Sequence, residues 1–187
     1  MRELGRAGLT ATEWNTMGLL DRLLGRNKDD NGLTPLWHRV VEIAREPQWY
    51  ARGGIADTVP GRFDCITMVL SLVLVRMEQE ESLRHRTARL TERFVADMDG
   101  QLRQNGIGDL VVGKHMGKLV SALGGRLDAY RAALTQPDDA ALVEAVERNV
   151  SLTGGGDGRA VAGEMRLLAA ALVATPEAEL LAGNITR

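Results

Sequence analysis

The stretch 63–77 constrains this chain more than any other. Its apolar residues, among them Phe63, Ile66, Met68, Leu70, Val73 and Met77, do not keep to one side of a helix but run round nearly its whole circumference. Such a helix is stable in water only when neighbours cover it on several sides, so the sequence predicts a central helix inside a multi-helix domain. The continuous apolar run, 65–75, is 11 residues long and contains Thr67 and Ser71. As a helix it would span roughly 16 Å against the ~30 Å core of a bilayer, which argues against a membrane span. Near the amino terminus Glu3 interrupts Arg2 and Arg6, and no apolar core precedes a small-residue cleavage site, so no secretory signal is read there. The expected location is cytoplasmic.

The flanking sequence divides into further helical stripes, with little two-residue alternation to suggest a sheet. Leu19, Leu20, Leu23 and Leu24 mark a short segment over about 17–25, and residues 1–16 read as a loose extension before a helical domain over 17–187. Met17 directly precedes that helix as a candidate translation start, which an intact mass containing residues 1–16 would reject. Thr34 is placed to cap the next helix with Pro35 at its first position, and Leu36, Val40, Ile43 and Ala44 on its buried face. Pro47 should end it, with Gln48-Trp49-Tyr50 entering a connection that reaches to about Pro60. Beyond the central helix, Leu90, Phe94, Met98 and Leu102 mark one helix and a stripe from Val112 to Leu134 another, with Gly124-Gly125 as a candidate bend. Leu142, Val143 and Val146 form a shorter stripe, 154–158 reads as a flexible turn, and Val161, Met165, Leu168 and Leu172 follow. Thr175-Pro176 repeats the cap signal. The predicted fold is all-α, a single compact domain with a buried central helix.

Charge and residue chemistry narrow the function. The chain of 187 residues carries 26% charged side chains that nearly cancel to a net charge of −2, which does not suit a general nucleic-acid binder. Its single cysteine, Cys65, excludes an internal disulfide and reads as a buried structural thiol in a reducing compartment. His38, His85 and His115 fall on separate elements and form no local ligand motif. The segment from Gly108 to Lys114 has the glycine and lysine spacing of a phosphate loop, but His115 stands where a Ser or Thr should ligate magnesium and no strand precedes it. Asp97 and Asp99 point in different directions on a helix, so they do not read as a paired acid and base. Arg84, Arg86, Arg89 and Arg93 are offset by Glu78, Glu80, Glu81 and Glu92, as on a solvated face. No catalytic residue, metal or cofactor is assigned.

Several words in the sequence are more specific. Pro35-Leu36-Trp37 leads to Pro47-Gln48-Trp49-Tyr50; Asp57-Thr58 leads to Gly61-Arg62-Phe63-Asp64; and Phe94-Val95-Ala96-Asp97-Met98-Asp99 continues through Leu102-Arg103, Gly106-Ile107-Gly108-Asp109, Val112-Gly113-Lys114 and Lys118 to Gly125-Arg126 and Ala129-Tyr130. Over about residues 33–134 the chain resembles the ubiquinol-cytochrome c chaperone family. That resemblance implies a non-catalytic, all-helical assembly factor for respiratory complex III. Its implied client is newly made cytochrome b, with peripheral contact to the membrane surface or the ribosome. The mitochondrial relatives work with a small partner protein. From the residues themselves, Trp37, Trp49 and Tyr50 are candidate apolar anchors for a client, and Arg103, Lys114 and Lys118 are candidate contacts to client loops or anionic headgroups. Two other classes fit the same apolar pattern: a helical carrier or enzyme with an internal haem, quinone or lipid pocket, and a structural protein-interaction module.

Overall fold

The computed structural model describes residues 32–104 and 109–187, with the side chains of 101–104 and 109–116 outside the description. The expected helix over 17–25 and the extension before it therefore lie outside the described residues. Within them the chain is helical, in the order α1 (Thr34–Ala44), α2 (Pro47–Ala51), α3 (Val59–Glu78), α4 (Glu81–Arg84), α5 (Thr87–Gln104), α6 (Asp109–Leu134), α7 (Ala140–Asn149), α8 (Gly158–Ala174) and α9 (Glu177–Leu181). No strand is present among the described residues, and their extended pairing is an isolated antiparallel bridge between Ile55 and Leu152.

The central helix is α3, packed by α1, α6 and α8. Met68, Val69, Leu70, Val73 and Met77 have no exposed surface. Burial of each such side chain contributes about 1.5–3 kcal/mol. The hydroxyls inside this apolar run do not go unpaired: Thr67 donates to the carbonyls of Phe63 and Asp64, and Ser71 to that of Thr67 at 2.7 Å. The helix begins earlier than the apolar pattern suggested. Thr58 is extended and its side chain accepts from the Gly61 amide at 3.3 Å, with Pro60 in the first turn. Gly61 is fixed by space, since a Cβ there would lie 1.9 Å from the Ala56 carbonyl oxygen.

The neighbouring helices bury the stripes expected of them: Leu36, Val40 and Ile43 in α1, Leu90, Phe94 and Met98 in α5, and Val161, Met165, Leu168 and Leu172 in α8. Pro47 does end α1, which stops at Ala44, but the helix starts differ from expectation: Leu33, not Thr34, is the cap residue of α1. Pro47 opens the short helix α2, where its missing N–H is not needed, and this turns Trp49 and Tyr50 back under α1. Thr175 does not cap the following helix; its hydroxyl donates to the Ala171 carbonyl at 2.8 Å, and α9 starts after Pro176. Free carbonyls at the end of α8 are within reach of both Thr175 and Arg76. The latter, 7% exposed, donates to the Leu172 carbonyl at 3.0 Å, placing a cation at the negative end of that helix.

The segment leading into the turn over 154–158 is bonded to the loop before α3. The Thr153 amide donates to the Gly54 carbonyl and the Ala56 amide to the Ser151 carbonyl, both at 2.8 Å. Gly54 has φ +71°, and a Cβ on it would lie 2.4 Å from the Cα of Gly156, so the two loops meet through glycine backbones. This junction fixes the approach to α3 and, with it, one end of a groove.

Candidate functional site

The groove lies where α1, α2, the start of α3, α5 and α6 converge, and has a volume of about 980 Å³. Val41, Tyr50, Phe63, Ile66, Met98 and Leu119 give it an apolar lining, with Val59 and Pro60 at the mouth. Val59 is 83% exposed, unusual for a branched aliphatic side chain, because it occupies the first turn of α3 beyond the cover of α1. Tyr50 is held by its hydroxyl, which donates to the Ala44 carbonyl at 2.7 Å, and burial raises its pKa above the ordinary phenol value. Its ring therefore stays in the wall as a neutral surface. Arg45, Asp57, Arg62 and Asp97 edge the groove. Arg62 donates to Asp57 at 2.6 Å, and that bond holds the Asp57 carboxyl below its usual range. Both groups are well exposed, so water screens the pair.

Behind the groove stand an aromatic row and a polar seam. The ring centres of Phe63 and Phe94 are 6.1 Å apart, and Trp37 meets Phe94 edge-on at 6.0 Å. The Arg126 guanidinium lies 5.8 Å from the centre of Phe63 and donates to Asp64 at 2.5 Å and to the Thr67 hydroxyl. The second Asp64 oxygen accepts from the amide and the hydroxyl of Ser151 at 2.9 and 2.7 Å. One carboxylate thus joins α3, α6 and the loop between α7 and α8. Sequence reasoning missed this seam. Its signal was present in the words Gly61-Arg62-Phe63-Asp64 and Gly125-Arg126, but nothing local shows that those two words meet.

The candidate site residues are distributed unevenly. Tyr50 lines the groove. Lys118 is exposed on α6, next to the groove residue Leu119. Trp37 and Trp49 are core residues, 2% and 0% exposed. Trp49 donates from Nε1 to the Ile43 carbonyl at 2.8 Å and lies under the Arg187 guanidinium, 4.9 Å from its ring centre. Neither tryptophan offers its ring at the surface: Trp37 is packed against Phe94 of α5, and the turn at Pro47 folds Trp49 against α1. The side chains of Arg103 and Lys114 lie outside the described residues. His38 and His85 are exposed, and His115 has no described side chain. Cys65 is fully buried, and burial pushes its thiol up to about 12. The loop-like segment before Lys114 is helical from Asp109 onward, with Gly108 outside the described residues. No group of three metal-ligating side chains comes together among the described residues.

No curated protein matches the sequence. The crystal structure of the Cbp3 homolog from Brucella abortus is similar at a TM-score of 0.72 and 27% identity, covering 93% of this chain and 95% of that one. A family match, described as ubiquinol-cytochrome C chaperone, runs over residues 51–187. It extends through α7, α8 and α9, where the sequence words had carried little resemblance. Those helices contribute ordinary aliphatic core, yet Ser151 and the end of α8 are bonded to Asp64 and Arg76 of the central helix. The chain belongs to the ubiquinol-cytochrome c chaperone family.

Proposed function

We propose that this chaperone of complex III assembly holds newly made cytochrome b in the groove between α1, α3, α5 and α6. The observation that carries the reading is the groove's open apolar mouth at Val59, beside a wall formed by Tyr50 and Phe63 and backed by Phe94 and Trp37. A membrane-protein segment that has not yet found its partners has apolar surface to cover, and an apolar groove with a charged rim provides that cover reversibly. Tyr50, Val59, Phe63 and Ile66 contact the client. Trp37 and Trp49 act from behind, by fixing α1, α2 and α5. Lys118, with Arg103 and Lys114 on the same helical hairpin, supplies cations for client loops or anionic headgroups. No described helix is long and apolar enough to cross a membrane.

Photocrosslinking in the native cell, with the reactive residue at Val59 and at Lys118, tests this. Newly synthesised cytochrome b recovered at Val59 is the expected result. Efficient labelling of soluble proteins alone would reject the reading. A second class, a carrier of haem, quinone or lipid, is favoured by the cavity volume, which falls within the range of small-molecule sites. Saturable binding of such a ligand, abolished by Ile66→Asp, would support it in place of a protein client.

A further inference from the structure

We propose that the stretch 117–123 of α6 is a movable wall of the groove, hinged at Gly124-Gly125, and that its motion admits the client; the second half of this rests on the groove being the client site. The two sides of the glycine pair are held very differently. On the carboxyl side, Arg126 is bonded to Asp64 and Thr67, Tyr130 and Ala133 are buried, and Arg131 donates to both carboxylate oxygens of Glu78 at 2.8–3.0 Å. On the amino side, Gly117, Lys118, Ser121 and Ala122 are exposed, Leu119 and Val120 are half-buried, and Leu123 is the one buried side chain of the stretch. Leu119 belongs to the groove lining.

Packing among the described residues does not ask for these glycines. A Cβ at Gly117, Gly124 or Gly125 would meet none of their atoms within 4 Å, and none of the three has a positive φ. Alanine fits each position, so what glycine contributes is a weaker helix. The loss is roughly fivefold in the local folding equilibrium per glycine, or about twentyfold for the adjacent pair. That weakness falls at the last residues before the fastened half begins, where a rotation of the backbone moves Leu119 relative to Phe63 and Ile66 without disturbing the Arg126 seam. A wall that yields lets one groove accept segments of different girth, and low local stability is the physical requirement for such motion.

Amide hydrogen exchange on the full-length wild-type chain and the G124A/G125A variant tests the hinge without any client. The expected result is exchange at 117–123 much faster than at 126–134 in wild type, slowed about tenfold or more by the two alanines. Equal protection of the two stretches in wild type, or no slowing in the variant, would overturn the hinge. Photocrosslinking from Val59 then tests admission. A several-fold lower yield of cytochrome b from the variant supports it, and slowed exchange with an unchanged yield overturns it. Absence of cytochrome b from the wild-type yield sinks the client reading and the admission step together, and leaves the hinge to be judged by exchange.

Discussion

Along one helix, two regions handle burial in opposite ways. Toward α6 and the α7–α8 loop, α3 presents Asp64 and Thr67, whose side-chain oxygens are bonded to Arg126 and Ser151. Toward the groove, the same two turns present Val59, Phe63 and Ile66, and Val59 remains largely in water. The polar seam fastens three elements that share few local contacts in sequence, while the apolar mouth is left without cover. The fastening lies about a turn from the open mouth and ties the start of α3 in place.

The comparison is broken most directly at Asp64. Asp64→Ala leaves the Arg126 guanidinium, 13% exposed, without its carboxylate and is expected to cost about 3–5 kcal/mol in urea unfolding. A loss under about 1 kcal/mol would mean that the seam is not a fastener. The double change Asp64→Leu with Arg126→Met should recover much of that stability, since it removes both charges together.

Alkaline pH tests the apolar side of the same helix. The folded-state thiol of Cys65 lies near 12, above its value in the unfolded chain, so the folded state holds this proton more tightly. Its contribution is therefore complete below about pH 9 and is lost as pH rises toward 12, at up to about 1.4 kcal/mol per pH unit. Cys65→Ala should flatten the stability profile over that window, and thiol reagents at pH 8 should modify Cys65 only on unfolding. Rapid labelling of the native chain would contradict its burial.

At the groove mouth the effects should separate. Val59→Asp is expected to change unfolding free energy by less than about 0.5 kcal/mol, because the side chain is already in water. Its capture of client should fall about tenfold, equivalent to about 1.4 kcal/mol. Equal capture would remove Val59 from the binding surface. The smallest effect is expected at Tyr130, whose buried hydroxyl has no partner among the described residues. Tyr130→Phe should leave stability unchanged or raise it by up to about 1 kcal/mol, and a loss larger than that would show that the hydroxyl is bonded after all.

The positions of the helices were legible because helical periodicity is a local property. Leu36, Val40 and Ile43 share a face whatever surrounds them, and so do Met165, Leu168 and Leu172. The uniform apolarity of 63–77 likewise required a covered central helix, and α3 is one. The ends were less legible. Thr58 starts α3 through a bond to Gly61, and Pro47, which stops α1 as expected, also starts a short helix where a connection was expected, because either role satisfies a proline's local chemistry.

The site was legible in its words and obscure in its roles. Trp37 and Trp49 stood out as anchors, but an aromatic side chain reads the same in a core as on a surface; Phe94 of α5 covers Trp37, and the turn at Pro47 places Trp49 inside. Tyr50 and Lys118 came out beside the groove. Asp64 and Arg126 are 62 positions apart, and Asp64 and Ser151 are 87 apart. The sequence by itself determined that the chain is helical, that 63–77 lies at its centre and which family it resembles, since composition and short-range spacing carry that information. Only the tertiary structure decided which charges meet, which aromatics are covered and where the apolar surface stays open, because those depend on distances between segments that no local pattern encodes.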